Sequence, residues 1–233
     1  QVVTRHEILR TNFILKDGEI RQVVKKEVTF GFRTADLRKH KNTAPVLDQL
    51  FHDNFSPRFS LESDILIRAT IVQVKDEAFV FYITVHHIIA DGWSMNLFTT
   101  EVSACYNALL HSNRPDLPAL PIQYKDYAVW QQKQVQNALL KSQEAYWLKQ
   151  LSGHPMGSSV SSDFQRPAVQ TFNGNIIRHH LGAELKTTLK KTSKRYATSL
   201  FVTLLTAVKV LLYRYTGRES IQVGTPVAGR QHA

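Results

Sequence analysis

The residues best suited to chemistry in this chain are two adjacent histidines, His86 and His87, which are followed by Asp91, Gly92 and Ser94. A histidine side chain can hydrogen-bond a reacting group or accept its proton near neutral pH. Glycine allows a backbone N–H to come close to a ligand. If the alternation of the preceding strand continued through the pair, the two rings would point to opposite faces. One ring would then face a cavity and the other would be held in the structure.

Several interpretations of this segment are open from the residues alone. A metal site needs more ligands than two histidines and one carboxylate, so no metal is predicted. A nucleophile paired with histidine needs a nearby serine or cysteine, but Ser94 is predicted to cap the following helix. The segment could be structural, with both rings hydrogen-bonded and Asp91-Gly92 forming a turn. It could also present a lone histidine to a substrate that brings its own nucleophile and electrophile.

The composition of the chain is that of an ordinary globular protein, whose helices and strands must position these residues. The 233 residues are 43% hydrophobic, 10% aromatic and 21% charged, which excludes a disordered or low-complexity protein. No run approaches the ~20 apolar residues of a membrane-spanning helix, so no membrane association is predicted. The net charge of +10 favours acidic partners. Nucleic acid is not predicted, because the basic residues are not interleaved with exposed aromatic residues.

Two further features concern the compartment and the ends of the chain. Cys105 is the only cysteine and cannot form an internal disulfide, so a reducing, cytoplasmic compartment is predicted. It lies in an apolar helical stripe and is predicted to be a core residue. The chain opens in a helix-like segment without an initiator methionine and stops after a strand-like run, which predicts a fragment of a longer protein.

The hydrophobic pattern predicts alternating strands and helices, an α/β (α+β) fold. Asp17-Gly18 predicts one β-hairpin and the segment at residues 75–77 predicts another. The Gly-, Ser- and Pro-rich residues 152–175 predict a linker. The predicted strands are 11–15, 19–24, 28–33, 65–74, 78–85, 175–181 and 220–225, and the predicted helices are 44–55, a long one from 94, about 123–151, 183–196 and 200–215.

Residues 86–94 resemble the signature of condensation domains in nonribosomal peptide synthetases. That signature has two histidines, three variable residues and Asp-Gly, commonly followed by Trp-Ser, as here. Other stretches resemble further motifs of the same family in the same order along the chain. They are residues 5–13, 124–130, 166–172 and 223–230.

The resemblance implies a fold of two chloramphenicol-acetyltransferase-like lobes arranged in a V, with the active site in a tunnel between them. Residues 1–165 would form the N-terminal lobe without its start. Residues 166–233 would form the linker and the beginning of a truncated C-terminal lobe. The isolated chain is accordingly predicted to be inactive.

The resemblance also implies an activity and its partners. Donor and acceptor thioesters arrive on the 4'-phosphopantetheine arms of upstream and downstream carrier domains, next to an adenylation domain. The acceptor amine attacks the donor thioester to form an amide, and no cofactor is bound by the domain itself. His87 would orient the amine or accept its proton, and Gly92 N–H would stabilise the oxyanion.

The remaining site residues are implied to be structural. His86 would be held within the structure. Asp91 would organise the loop by pairing with an arginine of the opening motif, either Arg5 or Arg10, with Arg5 favoured. Such a pair would compensate for the desolvation of the carboxylate.

Details of the signature distinguish branches of the family. Heterocyclising relatives have aspartates in place of His86 and His87, and epimerising relatives usually place Ser before Trp, whereas Trp93 precedes Ser94 here. The pattern predicts a domain that joins an L-configured donor to an L-configured acceptor. Two alternatives remain, a CoA-dependent acyltransferase that shares the shorter His-to-Asp core, and a catalytically silent docking module.

Overall fold

The computed structural model describes residues 1–55, 57–135, 138–153, 160–165, 167–169, 171, 174–227 and 229. The chain divides into two compact units, Gln1–Ser142 and Gln143–Ala233. Both contain helices, and the described strands lie in the first unit, so the predicted mixed class of helix and sheet is confirmed. The predicted pair of lobes and their boundary after residue 165 stay a prediction.

The first unit combines two small sheets with helices. A short helix α1 (Val2–Arg5) and a 3₁₀ turn (Glu7–Arg10) precede the strands. The strands are β1 (Thr11–Lys16), β2 (Glu19–Val24), β3 (Phe32–Asp36), β4 (Ile67–Lys75) and β5 (Ala78–Val85). The longer helices are α2 (Ala44–Phe55), α3 (Gly92–Leu110), α4 (Tyr124–Val135) and α5 (Ala138–Leu151), the last of which ends in the second unit.

Both predicted hairpins are confirmed. Strands β1 and β2 pair antiparallel, with Thr11 opposite Val24. Asp17 and Gly18 both have positive φ angles, 54° and 76°, which the tight turn between twisted strands requires. Strands β4 and β5 also pair antiparallel, with a register irregularity between Gln73 and Lys75.

Strand β3 differs from its predicted position. The sequence pattern predicted residues 28–33, whereas the strand covers Phe32–Asp36 and pairs parallel with β4, with Phe32 opposite Ala69. The pairing surface of β4 selects which residues extend, because a strand forms only where its backbone groups find partners. Helix α2 packs on β5, where the Tyr82 hydroxyl donates to the Leu47 carbonyl oxygen at 3.4 Å.

A buried apolar cluster joins the start of the chain to the segment of interest. It contains Val2, Leu9, Leu66, Ile89 and Cys105, and therefore brings together the opening turns, the residue before β4, the loop after β5 and helix α3. The prediction that Cys105 is a core residue is confirmed. Ile89 anchors the loop that carries the histidines to this core.

The second unit contains helices α6 (Ala183–Arg195) and α7 (Leu200–Thr216). The Ser199 side chain caps α7 by accepting from Val202 N, and Ser193 and Thr203 share a 2.8 Å hydrogen bond between the two helices. The predicted strands at 175–181 and 220–225 are wrong, because those described residues form neither helix nor strand. The basic residues of α6, Lys186, Lys190, Lys191, Lys194 and Arg195, are all exposed, as the interpretation as a solvated helix face predicts.

In the described part of the chain, no single helix is both long and apolar enough to cross a membrane. Helices α6 and α7 reach that length and composition only together, as a pair bent by 103°.

Candidate active site

The loop that carries the two histidines is a turn. Strand β5 ends at Val85, and Ile89 N donates to the His86 carbonyl oxygen at 3.1 Å, which closes a turn over residues 86–89. The expectation that strand alternation separates the two rings is therefore wrong. The turn separates the two histidines instead, with His86 half-buried and His87 exposed.

Besides this turn, His86 makes contacts through its backbone N–H and its ring. Its backbone N–H donates to the Leu66 carbonyl oxygen at 2.9 Å, and its Nδ1 accepts from Ile88 N at 3.1 Å. Its ring lies edge-on to Phe59, with centroids 6.0 Å apart at an interplanar angle of 85°. With Nδ1 accepting, the neutral ring carries its proton on Nε2.

His87 has a different environment from its neighbour. It is exposed, and within the described ranges its ring has no hydrogen-bond partner. An imidazole that no protein group occupies can hydrogen-bond a substrate through either ring nitrogen.

Asp91 caps helix α3. Its Oδ1 accepts from Ser94 N at 2.8 Å and from Ser94 Oγ at 2.7 Å, and its carbonyl oxygen accepts from Met95 N at 3.0 Å. The prediction that Ser94 is the N-cap is wrong, because Ser94 lies in the first turn of the helix and is itself bound by the cap. Aspartate is as favourable at this position as serine, and its charge also complements the helix dipole.

Gly92 is the first residue of helix α3 and is exposed. Its N–H is one of the four at the start of a helix that have no acceptor within the helix. A Cβ at Gly92 would meet no atom within 4 Å. A side chain at this position would therefore find open space, and the N–H points toward the N-terminal end of the helix.

The two arginines of the opening motif have acceptors other than Asp91. Arg5 Nε lies 3.2 Å from Glu101 Oε1, and its Nη2 donates to the Pro118 carbonyl oxygen. Arg10 donates to the Lys25 carbonyl oxygen and lies 3.6 Å from a Glu7 carboxylate oxygen. Arg5 and Arg10 therefore pair with residues other than Asp91, and the predicted ion pair between Asp91 and one of these arginines is wrong.

The opening motif connects several elements of the first unit. His6 Nε2 lies 2.6 Å from Glu101 Oε2 of α3. The Gln123 amide, just before α4, accepts from Glu7 N at 3.1 Å and donates to the Arg5 carbonyl oxygen at 3.0 Å. Lys125 of α4 also lies 2.7 Å from Glu7 Oε2. Two stretches that the sequence analysis treated as separate motifs, residues 5–13 and 124–130, are therefore in direct contact.

Asn12 is a second structural residue in the same opening motif. It is almost fully buried, and its Nδ2 donates to the carbonyl oxygens of Leu61 and Asp64 at 3.0 and 2.8 Å. These bonds tie the start of β1 to the turn before β4. Two other motif stretches, 166–172 and 223–230, include residues outside the described ranges, namely Arg166, Gln170, Phe172, Ala228 and Arg230.

Glu101 is the residue of this region that the sequence analysis missed. It is 5% exposed and lies on the same face of α3 as Cys105, four residues further along. A single carboxylate on the apolar face of a helix was the available signal, because such a charge is rarely buried without a partner. In the described ranges, no group of three or more potential metal-ligating side chains is present.

The chain resembles both curated proteins and solved structures. It is 41% identical over 233 residues to a linear gramicidin synthase of Brevibacillus parabrevis, an alignment that covers 98% of this chain and 4% of that protein. A four-domain nonribosomal peptide synthetase bound to AMP and glycine superposes with a TM-score of 0.84 at 25% identity, over 99% of this chain and 17% of that chain.

The chain is also similar to a solved structure of a complex from teicoplanin biosynthesis. The complex of the X-domain and OxyB superposes with a TM-score of 0.76 at 26% identity, over 92% of this chain and 47% of that chain. The chain therefore spans only a small part of its curated relative and about half of this structural one. The condensation-domain family profile matches residues 1–233, and the chain belongs to the condensation-domain family.

Proposed function

We propose that this chain contributes the catalytic histidine loop of an amide-forming condensation domain in nonribosomal peptide synthesis. The observation that carries the proposal is the exposed His87 ring, which has no hydrogen-bond partner within the described ranges and lies on the turn before helix α3. Gly92, at the first position of that helix, supplies a backbone N–H without an intrahelical acceptor. The family match and the gramicidin synthase relative give the reaction class.

The reaction joins two carrier-bound thioesters. The acceptor amine attacks the donor carbonyl carbon, a C–N bond forms, and the C–S bond to the donor arm breaks. His87 takes the proton that the attacking nitrogen loses, and the departing thiolate takes up a proton to leave as a thiol. Gly92 N–H donates to the carbonyl oxygen while it carries negative charge.

The expected contributions are unequal. Orienting two bound reactants can supply ~7–11 kcal/mol, because it replaces a bimolecular encounter by a step within one complex. Proton transfer to a positioned histidine typically contributes ~10²–10⁴-fold in rate. We therefore infer that positioning supplies most of the rate and that His87 supplies a smaller, measurable part.

The proposed partners follow from the reaction. Upstream and downstream carrier domains deliver both substrates on 4'-phosphopantetheine arms, and an adenylation domain loads them, within a cytoplasmic multidomain synthetase. The arms are substrates of the domain, and we propose no resident cofactor.

The test uses the intact condensation domain with two loaded carrier domains. We expect His87→Ala to lower amide formation ~10²–10⁴-fold while the melting temperature stays near that of the wild type, because the ring makes no protein hydrogen bond among the described residues. His86→Ala is the matched control. We expect it to lower the melting temperature, because it removes an acceptor for Ile88 N and the ring packed on Phe59.

Exchange of the two phenotypes would reverse the assignment of the histidines. Absence of amide product from the wild-type domain with a broad panel of donors would refute the enzymatic proposal.

A second candidate function has one supporting observation. The structurally similar X-domain is found in complex with OxyB, so this fold can serve as a docking surface. A silent docking role for the present chain would leave His87→Ala without effect on product formation by the assembled synthetase. We favour catalysis because the histidines and the Asp91-Gly92 pair of the signature are all present.

A further inference from the structure

Glu101 joins the middle of helix α3 to the opening motif through both of its carboxylate oxygens. Oε1 lies 3.2 Å from Arg5 Nε, and Oε2 lies 2.6 Å from His6 Nε2. The Glu101 side chain is 7% exposed, and the side chains of Arg5 and His6 are 18% and 17% exposed. Removing one partner of a buried charge pair leaves the other charge uncompensated, so the loss of either partner destabilises the fold.

The segment that carries Arg5 and His6 is also bound by residues at the start of α4. The Gln123 side chain bonds the backbone at both Arg5 and Glu7, and Lys125 lies 2.7 Å from Glu7 Oε2. The opening segment is thereby attached to the start of α4. Glu101 therefore attaches α3 to a segment that other contacts already restrain.

The geometry of α3 relates this attachment to the candidate site. Glu101 is nine positions after Gly92, so the attachment lies ~13 Å along the helix from its first residue. If the helix pivoted there by about 5°, its N-terminal end would move by about 1 Å, from the same ~1.5 Å rise per residue. A misplacement of that size can reduce a reaction rate by ~10²-fold.

We propose that Glu101 is a positioning residue for the reaction. By holding Arg5 and His6, its carboxylate sets the position of the N-terminus of α3, and with it Gly92 N–H and the preceding turn that carries His87. This inference rests on the proposed condensation function for its kinetic consequence. Its structural consequence, restraint of residues 86–94, does not depend on any reaction.

The test is Glu101→Gln in the intact condensation domain, assayed with two loaded carrier domains. We expect kcat to fall ~10–100-fold while the KM for each carrier-bound substrate is unchanged, because the reacting groups move and the carrier-binding surfaces do not. We also expect faster amide hydrogen exchange in residues 86–94. Thr100→Ala is the matched control, because Thr100 is exposed and, among the described residues, its hydroxyl bonds only Asn96 of its own helix, at 2.9 Å.

A second variant tests the same contact by replacing the other partner. Arg5→Gln removes the charge opposite Glu101 and leaves the His6 contact in place. We expect the same fall in kcat and the same faster exchange in residues 86–94. The double variant Arg5→Gln/Glu101→Gln should lose little more than either single variant, because the Arg5–Glu101 ion pair is absent from all three.

Each outcome decides the inference. A lower melting temperature with wild-type kcat and wild-type exchange in residues 86–94 would overturn it and leave Glu101 as a residue of general stability only. If Glu101→Gln does not fold, Arg5→Gln decides by the same two measurements. If the wild-type domain forms no amide, the proposed function fails, whereas the exchange measurement still supports or overturns the positioning role.

Discussion

Replacing Asp91 tests how the start of helix α3 is stabilised. In Asp91→Ala, the bonds from Ser94 N at 2.8 Å and Ser94 Oγ at 2.7 Å are lost. Loss of an N-cap costs ~0.5–2 kcal/mol. Loss of a negative charge at a helix N-terminus costs ~0.3–1 kcal/mol more. We therefore expect Asp91→Ala to lower the free energy of unfolding by about 1–3 kcal/mol.

Asp91→Asn separates the cap from the charge. Asparagine is as good an N-cap as aspartate, so its side-chain oxygen can still accept from Ser94 N. The charge is lost while the cap is kept, so we expect the free energy of unfolding to fall by less than in Asp91→Ala.

Urea denaturation of the intact domain measures both variants. The transition midpoint should fall further for Asp91→Ala than for Asp91→Asn, with the slope m unchanged. Equal destabilisation by alanine and asparagine would refute the reasoning, because it would show that the charge of Asp91 matters more than its capping bonds. Ser94→Ala is a useful comparison, since it removes the hydroxyl bond and retains the backbone bond.

Three further predictions concern stability and ionisation elsewhere in the chain. Asn12→Ala should lower the free energy of unfolding by ~1–3 kcal/mol in urea denaturation, because the carbonyl oxygens of Leu61 and Asp64 each lose the bond from the buried Asn12 amide. Ser199→Ala should cost ~1 kcal/mol in the same assay, through loss of the cap of α7. Hydrogen bonds from Arg38 lower the pKa of Asp36 to about 2 from 3.8. Any stability gained from this carboxylate is thus present above its unfolded pKa and lost as the pH falls through about 2. Arg38→Ala should move that pKa, measured by NMR titration, back toward 3.8; an unmoved pKa would contradict the assignment to Arg38.

Short-range patterns were sufficient to predict most of the helices and hairpins. Asp17-Gly18 predicts its turn because the positive φ angles there suit glycine and aspartate. Helix α2 was predicted at its observed bounds, Ala44–Phe55, because its apolar residues recur at helical spacing. The His86–Ser94 signature likewise indicated the condensation-domain family, which the family match confirms.

Strand positions depended on partners that a short window does not contain. Strand β3 lies at Phe32–Asp36 because it pairs with β4, which is more than thirty residues away in sequence. The segments at 175–181 and 220–225 were predicted to be strands but form no strand in the described structure. Strand composition describes a side-chain surface, and the backbone adopts the strand only when a neighbouring strand satisfies its hydrogen bonds.

The sequence by itself determined which residues could act and the local elements on which they lie. Only the tertiary structure decided that Arg5 pairs with Glu101, 96 residues further along the chain. An arginine and several carboxylates allow many pairings by charge alone. Arg5 pairs with Glu101 because the fold brings this buried carboxylate within 3.2 Å of the guanidinium. A charge removed from water is stable only with its partner in contact.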